Sequence, residues 1–87
     1  MRQDAVIQEE ANKLIGETLK AIRKRSGITQ KELAHRLHAT QSFISAIEQG
    51  RRAIRLTEAI LYSSGLGIPS QELYEELKSA LDEHNLL

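Results

Sequence analysis

ITQKELAHRLHATQSFISAIEQG, residues 28–50, reads as two short helices joined by a tight turn, and the rest of the chain can be placed around it. Thr29 followed three residues later by Glu32 is a capping box, so the first helix begins near Gln30, with Leu33, Ala34 and Leu37 as its apolar side. His38, Ala39 and Thr40 form a three-residue connection of the length that joins two helices at a steep angle. Thr40 is a suitable N-cap for the second helix and Gly50 a suitable stop. At 100° per residue, Gln41, Ser42, Ser45, Ala46 and Gln49 fall within an arc of roughly 140°, with Phe43, Ile44 and Ile47 opposite. One face is therefore apolar and turned inward. The other carries small or amide side chains that can enter a DNA groove and hydrogen-bond base edges, glutamine being suited to adenine.

The order T-Q-x-E-L-A, three turn residues, then Q-S-x-I-S-x-I-E-x-G resembles the Cro/C1-type (XRE-like) helix-turn-helix transcriptional regulators, over about Leu14 to Leu77. The resemblance implies an all-α, compact five-helix, lambda-repressor-like DNA-binding domain. It assigns a backbone phosphate to Gln30, with its neighbours Thr29 and Lys31, and directs Gln41, Ser42, Ser45 and Ala46 at the bases. It also pairs Arg23 with Glu48, tying the first helix to the recognition helix. Two positions depart from the family. His38 stands where glycine is usual, because the chain there often takes positive φ, and histidine tolerates that region better than most residues. Arg55 replaces the small hydroxyl residue that often caps the fourth helix.

The 87 residues suffice for one domain that buries about 60% of the surface of its unfolded chain, which leaves little room for a large catalytic cleft. With 40% hydrophobic and 28% charged residues, the chain has the make-up of a folded soluble domain. It lacks cysteine, so neither disulfides nor thiolate metal sites are open to it. Gln8, Glu9, Glu10 and Lys13 interrupt the N-terminus before a signal or membrane-spanning run can form, and the expected location is cytoplasmic, with no membrane partner.

Net charge is zero, which by itself speaks against nucleic acid, but its distribution reverses the inference. From Lys20 to Arg55 nine basic residues face only Glu32 and Glu48, a net of +7; residues 1–19 carry −2 and residues 56–87 carry −5. The positive block coincides with the two-helix stretch and its flanks, as a phosphate-binding surface should. A charge run is also compatible with a merely solvated face.

Asp4 to Arg25 reads as helical, with Ile7, Ala11, Leu14, Ile15, Leu19 and Ile22 at helical spacing, in one piece or in two divided near Gly16. Residues 1–13 are read as an added N-terminal helical segment, 14–80 as the helix-turn-helix domain and 81–87 as the helix end and a frayed tail. Ser26-Gly27 ends the first helix. After Gly50 comes a basic loop whose Arg51 and Arg52 are candidates for phosphate contacts, or are simply exposed arginines. Leu56–Leu66 is the fourth helix, with Leu56, Ala59, Ile60 and Ser63 expected inward. Pro69 opens the last helix, where Leu73, Leu77, Ala80 and Leu81 oppose Glu72, Glu75, Glu76, Asp82 and Glu83.

His35 and His38 have no third ligand in sequence reach, and neither a phosphate-binding glycine loop nor a nucleophile triad is evident, so no cofactor, metal or enzymatic activity is expected. The leading reading is a sequence-specific double-stranded DNA regulator, a repressor, inserting residues 41–49 into the major groove as a homodimer. The alternative is an antitoxin of a toxin-antitoxin pair that neutralises a protein partner and autoregulates its operon; the small protein partner considered is a toxin or an anti-repressor. Val6, Ile7, Leu81, Leu86 and Leu87 lie outside the family core, which points to an interface on the C-terminal helix assisted by the N-terminal segment. The competing arrangement folds residues 1–12 back on the last helix.

Overall fold

The computed structural model describes residues 4–87 and contains five helices in chain order: α1 Asp4–Arg25, α2 Gln30–Arg36, α3 Gln41–Glu48, α4 Leu56–Leu66 and α5 Ser70–Glu83. α1 packs against α3 and α5, α2 against α3 and α4, and α4 against α5. Leu19 and Ile22 of α1, Leu33 of α2, Ile44 and Ile47 of α3, Tyr62 and Leu66 of α4 and Leu73 of α5 meet in one core. Each fully buried aliphatic side chain there stabilises the fold by about 1.5–3 kcal/mol. Among the described residues no helix is long and apolar enough to cross a membrane.

α1 is a single 22-residue helix, so residues 4–13 continue it without folding back, and residues 1–3 of the expected N-terminal segment lie outside the described residues. Gly16 does not divide it. A Cβ at Gly16 would lie 2.4 Å from the Ile47 carbonyl oxygen and 2.7 Å from that of Glu48, so glycine is what lets the C-terminal end of α3 rest on α1. The helix ends where expected: Gly27 takes φ 74, and the N–H of Ile28 returns to the Arg23 carbonyl at 3.2 Å.

Three expectations are corrected. Leu56 and Ile60 do not face inward: they are 78% and 50% exposed, while Ser63 does, together with Tyr62, Gly65 and Leu66. Thr57, Glu58, Ser63 and Ser64 are spread over several faces of α4, so periodicity cannot choose its inner face. Packing does: a Cβ at Gly65 would lie 2.9 Å from Leu33 and Leu37, and this close approach to α2 turns the Tyr62–Leu66 side to the core. Secondly, α4 does have a capped start, since Glu58 supplies what Arg55 lacks by accepting the Arg55 N–H at 2.8 Å. Thirdly, His84–Leu87 is not a frayed tail. Asn85 takes φ 57 and the Leu86 N–H reaches the Leu81 carbonyl at 2.9 Å, closing α5 with a left-handed cap.

Candidate nucleic-acid interface

Both caps read from the two-helix stretch are present: Thr29 Oγ1 accepts the Glu32 N–H at 3.0 Å and Thr40 Oγ1 accepts the Phe43 N–H at 3.1 Å. The Glu32 carboxylate turns to Arg36 at 3.1 Å, so the box closes from one side only. His38 has φ 55, the left-handed conformation that turns the chain from α2 into α3. Gly50, at φ 74, ends α3, and the Arg51 N–H returns to the Ala46 carbonyl at 2.9 Å.

Ile44, Ile47 and Glu48 of α3 are buried, Gln41 and Ser42 are exposed, and Ser45 and Ala46 are half-buried, so the four expected base-facing residues share the outer side of one helix. Behind them lies a buried ion pair. Arg23 donates Nε to Glu48 Oε2 at 2.6 Å and Nη2 to Oε1 at 3.0 Å, and its Nη1 holds the Ile28 carbonyl at 2.7 Å. The hydrogen bond to Glu48 raises the affinity of Arg23 for its proton, and burial opposes this only in part. Removing either partner would strand a buried charge, a loss of about 3–5 kcal/mol.

The network continues outward. Gln30 donates to Glu48 Oε1 at 2.9 Å and accepts from Gln41 Nε2 at 3.3 Å. Since a glutamine amide has two N–H groups, one remains on Gln30 for a phosphate oxygen. At the other end of α3, Gln49 donates to Ser45 Oγ at 3.2 Å and accepts from Arg51 Nε at 2.7 Å. Gln49, in the same polar arc as Gln41 and Ser45, thus links Ser45 to Arg51.

Thr29, Lys31 and Arg51 are exposed. Arg52, their companion in the sequence reading, is turned into the fold: it pairs with Glu58 at 2.8 and 2.9 Å and lies 4.7 Å from the Phe43 ring centroid. Arg36 is likewise engaged, donating to the Gly65 carbonyl at 2.8 Å. The basic block is therefore smaller as a surface than as a count, because Arg23 is buried and Arg25 and Arg52 pair with carboxylates outside the block, Glu76 and Glu58. No group of three or more metal-ligating side chains occurs among the described residues.

A family model described as helix-turn-helix matches residues 19–73. Control protein C.MunI from a Mycoplasma species is 31% identical over 64 residues, covering 72% of this chain and 86% of that protein. The wild-type restriction-modification controller protein C.Esp1396I superposes with a TM-score of 0.77 at 26% identity, covering 85% of this chain and 96% of that one. The C.Esp1396I tetramer in complex with its natural 35 base-pair operator gives a TM-score of 0.74 at 25% identity, covering 82% and 93% respectively.

Proposed function

This chain belongs to the helix-turn-helix family, and from that premise we propose that it is a DNA-binding transcriptional regulator that reads its operator with α3 and acts as a repressor. The observation that carries the reading is the two-sided character of α3. Its apolar residues and Glu48 are locked behind it, while Gln41, Ser42, Ser45 and Ala46 lie on its outer side, small enough for a helix to enter the major groove. In this reading Gln41 reads a base, adenine being the best chemical match, and the serines and Ala46 make shorter-range contacts. Gln30, Thr29, Lys31 and Arg51 hold phosphates. The chain acts by binding, without catalysis.

Two copies bind together. One short helix spans too few base pairs for a unique site, and paired half-sites lie about one helical turn, roughly 34 Å, apart. The face that supports self-association is an apolar groove of about 620 Å³ between α4 and α5, lined by Ile15, Leu56, Ile60, Tyr74, Leu77 and Leu81. C.Esp1396I, of similar fold and comparable length, is a tetramer on its operator. No observation favours a toxin partner over a second copy of this chain.

The test is selection of bound duplexes from a random pool, followed by titration of the winner and of a scrambled duplex. Gln41→Ala should lose about 1–3 kcal/mol on the selected site and relax preference at one base pair. Equal losses on both duplexes would refute base reading by Gln41.

A further inference from the structure

α3 packs on α1 and α2, and α4 on α2 and α5, so α3 and α4 are related through α2 and the shared core, and the loop between them adds a direct link. Arg52 provides that link. Its Nη1 and Nη2 donate to the two carboxylate oxygens of Glu58 at 2.8 and 2.9 Å, and Nη1 also holds the Ala53 carbonyl at 2.8 Å. The guanidinium lies over the Phe43 ring at 4.7 Å, touching α3 from behind, two residues from Gln41. Glu58 in turn accepts the Arg55 N–H that begins α4. One arginine thus joins the back of the reading helix to the first turn of the helix that carries exposed Leu56 and Ile60.

We infer that Arg52 is a positioning residue for operator reading, a clamp between Phe43 and Glu58 that sets α3 relative to the α4 face where a second copy docks, and that it does not contact phosphate. The inference rests on the proposal that the chain reads DNA as a dimer. Two-fold symmetry applies any change of tilt at the clamp to both reading helices, so the clamp governs how strictly the dimer demands one half-site spacing. Lysine cannot replace it, because an ammonium neither spans both carboxylate oxygens nor stacks flat on a ring.

The test uses the full chain and the duplex selected by the wild type, together with copies carrying one base pair inserted or deleted between half-sites and a random duplex, over a range of salt. Arg52→Gln should weaken the selected site by roughly 2- to 30-fold. It should leave the slope of log affinity against log salt unchanged and shrink the penalty for wrong spacing. Glu58→Gln keeps an oxygen for the Arg55 N–H and should reproduce this pattern, with the double variant no worse than either single one. Arg51→Ala is the phosphate comparator, expected to reduce the slope by about 0.9. The clamp is overturned if Arg52→Gln loses that same slope, or if Glu58→Gln frees Arg52 to bind random DNA more tightly with a steeper slope. It is also overturned if Arg52→Gln keeps the wild-type spacing penalty. A wild type without sequence preference would instead remove the DNA-reading premise, and the inference with it.

Discussion

His38 holds the left-handed conformation at φ 55 in an exposed turn, where its Cβ crowds the following carbonyl at a cost of about 1–2 kcal/mol. His38→Gly removes that strain but enlarges the unfolded ensemble, an offset of about 0.4–1 kcal/mol. Urea unfolding should show a net gain on the order of 1 kcal/mol, and a loss would mean that the imidazole contributes contacts of its own. Glu58 offers a different handle. The hydrogen bonds from Arg52 hold its carboxyl below the ordinary value of 4.5, with a smaller contribution from the Arg55 N–H, and burial opposes both. The unfolded chain therefore takes up this proton at higher pH than the folded one. The stability that Glu58 confers is complete above about pH 4.5 and is lost as pH falls through the folded value. Thermal melts between neutral and acidic pH should show wild type and Glu58→Gln converging in acid; parallel curves would deny the linkage.

At the scale of the element, α1 shows why local propensity is a weak guide. A glycine inside a helix costs about 1 kcal/mol relative to alanine, and read alone Gly16 suggests a break. Here the absence of a side chain is what admits the Ile47 and Glu48 carbonyls. Gly16→Ala should therefore destabilise by about 1–3 kcal/mol despite its better propensity, since either α1 or the end of α3 must move. A more stable alanine variant in chemical unfolding would show that the two helices can part without loss. α4 gives the complementary case: with polar residues on several faces it carries little phase information, so Ser63 was placed correctly but Leu56 and Ile60 were not, an error of about one residue position, roughly 100°. α2 and α3, with a sharp apolar side and a hydroxyl cap each, were legible almost to the residue.

For the whole molecule, the outward Leu56 and Ile60 become the principal sign of association. With Tyr74 at 59% and Leu87 at 70% exposure they border one apolar groove, which a second copy would cover. Sedimentation at micromolar concentration should find a dimer, and Ile60→Glu should return it to monomer with an unchanged helical spectrum and weakened operator binding. An Ile60→Glu protein that still sediments as a dimer would move the interface elsewhere. Removing residues 81–87 takes away Leu81 and Leu87 from the same groove and should weaken the dimer as well. Val6 of the N-terminal segment is 45% exposed and is not among the residues that line this groove.

What the chain's order determined by itself was local: where α2 and α3 start and stop, and which side of α3 is polar. These follow from caps and a 3.6-residue period, which act within a few neighbours, whereas the positive φ at His38 was expected from the family resemblance. The Arg23–Glu48 pair spans 25 positions and came from family resemblance, not from spacing. Only the tertiary structure decided which cations remain on the surface. Arg51 and Arg52 are adjacent and chemically alike, yet one points outward beside Gln49 and the other is drawn to Glu58 and Phe43. That choice depends on a carboxylate and a ring brought together by packing. A side chain's charge is written in the sequence, but whether it meets solvent or a partner is set by the distances that folding creates.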